Sequence, residues 1–211
     1  KREGWNPIVL TIDVNYNYNE DINLLKDLVA VEIHRTKYIE PSLRGLYMWL
    51  TWKDRTFKTL KKQGVFDEKE KTSSIHAEAK VSFKQKTYNY LLENWLNSPD
   101  RFWTWEKGAI KKGNELIEKY NITYVYTTSL PFTTFKIGSA LKQKHDIKWI
   151  ADFRDPIMYT KRTHSSILRV FKKQKKIEIT ALENANITMG LSSAYKLIYH
   201  ALYGVKYDGK M

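Results

Sequence analysis

Two short polar segments of this chain carry side chains suited to holding a hydroxyl or an anion: Thr127-Thr128-Ser129 and Asp152-Phe153-Arg154-Asp155. An arginine presents several donors in a rigid planar fork that matches the oxygens of a phosphate or a sugar. A neighbouring carboxylate accepts hydrogen bonds from hydroxyls. Arg154 and Asp155 are therefore the candidate catalytic pair, with Asp152 placed to orient Arg154 and counted with the substrate-binding residues. The plainer alternative is an Arg–Asp pair that only ties the loop together ahead of Pro156. Ser129, Thr133 and Thr134 are the remaining substrate-binding candidates. A Ser or Thr just before a helix caps its free N–H groups, which makes Thr133 first of all a helix cap. A helix N-terminus also favours an anionic group, so the same loop suits the wall of a ligand pocket.

Other chemistries find little to stand on. The histidines are His34, His76, His145, His164 and His200. None is spaced as a metal ligand with another histidine or with a carboxylate cluster. His164 follows the Arg154 loop but reads as an exposed loop histidine. There are no cysteines, which removes disulfides and thiolate metal sites and suits a reducing compartment. No G-x-S-x-G, Walker-type or paired-cysteine motif is present, so hydrolase, nucleotide-phosphatase and zinc readings lack support.

The elements that must position these residues alternate along the chain. Branched apolar runs predict strands at 7–12 (PIVLTI), 122–128, 147–153 and 187–191, and weak alternation suggests another at 31–35. Helical periodicity predicts helices at 21–29, 41–62, 84–96, from 99–100 onward, 133–144, 165–184 and 194–203, the last ended by Gly204. Residues 65–82, with a charged run and Thr72-Ser73-Ser74, read as a polar insertion. This order predicts an α/β fold: one Rossmann-like domain over 1–211, an open parallel sheet with helices on both faces and a helical insertion at about 41–120. Both polar segments then lie at carboxyl ends of strands, where open parallel sheets bind ligands. A doubly wound domain opens with a strand and a helix, but residues 1–5 read as the tail of a helix. The opening unit, with any Gly-rich phosphate loop, is expected upstream.

Net charge is +13, from 36 basic and 23 acidic side chains. Such a field favours nucleic acid, an anionic leaflet or a phosphorylated small molecule, although solvated lysine-rich helix faces give the same balance. Residues 41–62 combine Tyr47, Trp49, Trp52 and Phe57 with several cations, and 161–176 are strongly basic. Both stretches suit an anionic membrane surface, each cation contributing about 1 kcal/mol. The same aromatics at helical spacing equally suit a core. No apolar run is long enough to span a bilayer, and residues 1–30 lack a signal-peptide pattern. The expected location is cytoplasmic, with peripheral attachment at the inner membrane face. Two other functions stay open: a basic nucleic-acid-binding module, and a non-catalytic scaffold with the same fold. The basic residues scatter and no nucleic-acid motif is present, so nucleic acid is not an expected partner.

Several segments together resemble the N-terminal, acceptor-side domain of a family-4-like glycosyltransferase of the GT-B architecture. GWNPIVLTI resembles an early "G-W-x-P-x-V-L-T" strand, and SPDRFWTWEKGAIKKGNELI a "P-D-x-x-x-x-W" segment leading a helix. ITYVYTTSLPFTTFKIGSALKQK resembles a "D-V-I-Y-[ST]-[ST]-S-P-P-x-[ST]" strand and loop followed by "H-x-I-G-x-x-L". IKWIADFRDP resembles "I-P-W-[IV]-A-D-F-R-D-P-W", and LENANITMGLSSAYK an "A-D-x-I-[IT]-x-[VS]-S" strand. The likeness runs in order along nearly the whole chain, with IADFRDP and TTSLPFTT its most specific pieces. Leu130 stands where the family often has Pro, Phe135 where His is common and Ile157 where Trp is usual; these departures bear on acceptor choice rather than on fold. The resemblance implies transfer of a sugar from a nucleotide-sugar donor to a glycan or lipid-linked acceptor in surface-polysaccharide synthesis. The nucleotide-sugar is co-substrate, and no metal is expected because basic side chains do its work. Both the Gly-rich loop and the C-terminal nucleotide-sugar domain of such enzymes lie outside this sequence, so it is expected to be inactive alone.

Overall fold

The computed structural model describes residues 4–13, 31–41, 87, 90, 98–155, 157–159 and 164–207. The branched run IVLTI forms β1 (Ile8–Ile12), which pairs in parallel with β2 (Glu32–Thr36), Ile8 opposite Glu32 and Ile12 opposite Thr36. A 3-10 turn at Trp103–Trp105 leads into α1 (Glu106–Tyr120), and β3 (Tyr124–Ser129), α2 (Phe132–Lys144), β4 (Lys148–Phe153) and α3 (Leu168–Asn184) follow. The last elements are β5 (Ile187–Gly190), α4 (Ala194–Tyr203) and a 3-10 turn at Gly204–Tyr207. Strands β3, β4 and β5 form a parallel sheet in that order, with Thr128 opposite Asp152 and Asp152 opposite Met189. The expected α/β class with a parallel sheet is present, in a form compatible with a Rossmann-like half-fold.

The helices expected at 21–29 and 41–62 and the insertion at 65–82 lie outside the described residues. So does the helix expected at 84–96, except for Thr87 and Tyr90. Two boundaries differ from expectation for visible reasons. Phe102 and Trp103 precede α1 because Asp100 Oδ1 accepts the Phe102 N–H at 2.7 Å and turns the chain. Helix α3 starts at Leu168 because Ser165 Oγ accepts the Ile167 N–H at 3.1 Å, a local bond that competes with helix.

Alternation along the strands decides what is buried. Trp149, Ala151 and Phe153 of β4 point at α2 and α3, and all three are fully buried among Phe135, Ala181 and Leu182. Gly138 lets α2 close on the indole, since a Cβ there would stand 2.4 Å from Trp149 Nε1. Phe135 and Tyr199 complete the aromatic packing, with centroids 4.7 and 5.6 Å from Phe153. A second cluster, around Trp105, Ala109, Ile117, Ile137 and Leu141, receives Leu10 and Ile12 and so sets α1 under β1. Helices on both faces were expected, yet among the described residues they cover one face. On the other, Tyr126 is 55% and Ile187 49% exposed.

One part-buried carboxyl and one buried carboxyl hold helices in place. Asp100 accepts the Thr133 N–H and the Thr133 Oγ1 hydroxyl, each at 2.8 Å. It therefore caps α2 from a distant segment, and burial pushes its carboxyl above the usual carboxylate range. Thr133 is not the cap: α2 begins at Phe132, and the Thr133 donors are the groups being capped. Glu178 of α3 accepts the Tyr203 hydroxyl at 2.8 Å and joins α3 to α4. Burial raises its carboxyl to about 7, outweighing the Tyr203 bond, a backbone N–H at Met158 and the charge of Lys175.

Asp100→Ala leaves buried donors of Thr133 unmet and is expected to cost about 1–3 kcal/mol in urea unfolding. Unchanged stability would remove Asp100 from its capping role. For Glu178, the folded-state value lies above that of the unfolded chain. Its contribution is complete below the ordinary glutamate range and is lost as pH rises through about 7. The loss is about 3 kcal/mol at most. Glu178→Gln is expected to match the parent at pH 5 and to exceed its stability at pH 8; equal urea midpoints at pH 8 would contradict this.

Candidate functional site

Strands β1 and β2 form one parallel pair and β3, β4 and β5 a separate parallel sheet, and Trp5, just ahead of β1, packs edge-on against Tyr124 at 5.3 Å. In open parallel sheets ligands bind beyond the carboxyl ends of the strands. Here those ends are Ser129 of β3 and the Asp152–Asp155 segment of β4.

Alternation in β4 turns Asp152 away from the helices, onto the face shared with Tyr126. The Tyr126 hydroxyl donates to Asp152 Oδ2, and Arg154 Nε lies 3.9 Å from the same oxygen. Asp152 itself is nearly buried, while the Arg154 side chain is 68% exposed. The Arg154 carbonyl accepts the Tyr195 hydroxyl at 2.6 Å, so α4 fixes the backbone from which the guanidinium projects. Asp155 is exposed beside it. Burial, then the bond to Asp152, push the Tyr126 phenol up to about 12, so it stays protonated as a donor throughout the neutral range. Burial, then the charges of Asp155 and Asp152, push Tyr195 up as well. The arrangement is an outward-facing cation on a fixed backbone between two carboxylates. It can hold an anionic group through the guanidinium and a hydroxyl through Asp155.

Asp152, Arg154 and Asp155 are thus brought together at one strand end. Thr133 and Thr134 are not part of that group. The hydroxyl of Thr133 serves Asp100, and that of Thr134 donates to the carbonyls of Thr128 at 2.7 Å and Pro131 at 2.8 Å. Both side chains hold the β3–α2 corner in shape. Ser129 is buried at that corner, its hydroxyl unpaired. Tyr126 and Tyr195 belong to the site and were missed. Tyr126 was within reach of sequence reasoning, because alternation and a parallel register put it on one face beside Asp152. Tyr195 was not, because its contact with Arg154 spans the gap between β4 and α4.

Three of the described histidines have partners of their own. His34 pairs with Glu32 at 2.8 Å, His145 with Asn114 at 2.7 Å, and His164 packs on Phe171 with centroids 5.0 Å apart. Among the described residues no three of His, Cys, Asp and Glu gather as a metal site. A concavity of about 500 Å³ opens on the helical face instead, between Pro99, Trp103, Phe135, Lys136 and Lys173. It lies across the sheet from Asp152 and shares no residue with the Arg154 group. Among the described residues no helix is long and apolar enough to cross a membrane. No family model matches the chain, and comparison with curated proteins and with solved structures gives no match.

Proposed function

We propose that this chain is the acceptor-side half of a GT-B glycosyltransferase of the family-4-like kind. It would transfer a sugar from a nucleotide-sugar donor to a glycan or lipid-linked acceptor. The observation that carries the reading is the exposed Arg154 guanidinium, projected from the carboxyl end of β4 on a backbone held by Tyr195. Sugar transfer develops negative charge on the departing diphosphate and requires an acceptor hydroxyl beside the anomeric carbon. Arg154 supplies donors for the first need, and Asp155 an acceptor for the second. Asp152, held by Tyr126, limits how far the guanidinium can swing. The likeness of IADFRDP and TTSLPFTT to the family motifs supports the same assignment.

A lipid-linked acceptor fits the charge of α3, where Arg169, Lys172, Lys173 and Lys176 are exposed. In this reading that row rests on an anionic leaflet at the inner membrane face. The decisive variant is Arg154→Ala in the complete enzyme. Sugar transfer is expected to fall at least about a hundredfold, the scale seen when a charge-stabilising donor is lost, with circular dichroism and melting temperature unchanged. Near-parental turnover would reduce Arg154 to a loop-tying residue.

A further inference from the structure

The concavity of about 500 Å³ on the helical face lies apart from the Arg154 group, and its lining is graded by depth. It runs between α2 and α3 and is bounded by the segment from Ser98 to Glu106. Pro99, Phe135 and Ser139 are buried and form its floor, and Ala140, Ile177 and Thr180 are half-buried above them. Trp103, Gln143, Lys173 and Lys176 are exposed and form its rim. Lys136 donates to Glu106, an ion pair that joins α2 to the first turn of α1 and neutralises both side chains. Glu106 is the one carboxylate of the lining, so Lys173 and Lys176 leave the rim with a net positive charge.

Several polar groups of the lining have no work inside the protein. Among the described residues the hydroxyls of Ser139 and Thr180, the amide of Gln143 and the ammonium of Lys176 have no hydrogen-bond partner. Ser139 is only 7% exposed, and a polar group at that depth is ordinarily paired. An occupant that brings heteroatoms to the floor would pair it. The apolar surface of Phe135, Pro99 and Ile177 takes a flat ring, with the indole of Trp103 adding aromatic surface at the rim. Lys173 and Lys176 stand one turn apart on α3, close enough to flank one oxyanion, and lysine binds phosphate as a point charge. The order of these surfaces selects the occupant. A phospholipid entering by its headgroup brings charge in first and leaves its apolar part outside. Here the apolar surface is innermost and the cations outermost, so a ring enters first and its anionic group stays at the rim. The volume is that of a small-molecule site.

We propose that this concavity binds a small heteroaromatic ring bearing a phosphate. The ring lies on Phe135 with its edge toward Ser139 and Thr180, and the phosphate sits between Lys173 and Lys176. The site is separate from Arg154 and does not depend on the sugar-transfer reading. Occupation takes Lys173 and Lys176 out of the basic row of α3, so the occupant and an anionic leaflet compete for them.

Isothermal titration calorimetry with adenosine monophosphate tests this, on the full chain carrying Arg154→Ala so that the strand-end cation does not contribute. Saturable single-site binding is expected with a Kd below about 1 mM, adenosine and inorganic phosphate each binding at least about tenfold more weakly. Lys176→Glu, at an exposed position, is expected to weaken adenosine monophosphate at least about tenfold. Ala140→Phe fills the concavity and is expected to abolish binding with the melting temperature kept; if that variant fails to fold, Lys176→Glu decides. Absence of binding, or an affinity no better than that of inorganic phosphate, would overturn the proposal. So would parental affinity in Lys176→Glu, or a chain that ignores the nucleotide while phosphatidylglycerol vesicles hold it through Lys176.

Discussion

The seating of Trp149 on Gly138 is the contact on which the other placements depend. It presses α2 onto β4 and commits the alternation of that strand, so that Trp149, Ala151 and Phe153 face the helices. The same residue ties its neighbours together. Its indole N–H donates to Thr127 Oγ1 of β3 at 2.9 Å, and its backbone N–H to Asn186 Oδ1, just ahead of β5, at 2.9 Å. A one-residue slip of β4 would turn Asp152 into the apolar layer, where an unpaired carboxylate costs several kcal/mol. The position of the polar strand end is therefore a by-product of aromatic packing on the far side of the sheet.

From that register the rest of the site follows by short contacts. Asp152 emerges beside Tyr126, and Arg154 two residues on emerges on the same side and is drawn toward the same carboxylate. Tyr195 then fastens the Arg154 carbonyl from α4. The result combines rigidity and exposure: the backbone is held from two elements while the guanidinium stays in solvent. A cation pre-placed this way loses little freedom when it meets an anion, which is what electrostatic stabilisation of a leaving group requires.

Much of this frame could be read from the residues. Strands β1 to β5 and helices α2 and α4 fall within a few residues of their expected ranges, because each is a run of branched or periodic apolar side chains. Proximity of Asp152, Arg154 and Asp155 followed from their adjacency in sequence. What escaped was long-range. The cap of α2 is Asp100, some thirty residues upstream, and no local pattern distinguishes it from the nearer Thr133. Tyr195 reaches Arg154 across a corner that only folding creates. The one-sided helical cover escaped as well, because alternation in β3 and β5 says which residues share a face and not which face is covered.

The proposed function requires Arg154 to be an outward anion-binding group rather than half of a closed ion pair. Nitrogen-15 NMR of arginine side chains during titration with inorganic pyrophosphate tests this directly. The Arg154 Nε–H resonance is predicted to shift saturably and to lose the response as salt screens the charge. An Arg154 resonance that stays fixed while the lysines of α3 respond would contradict it.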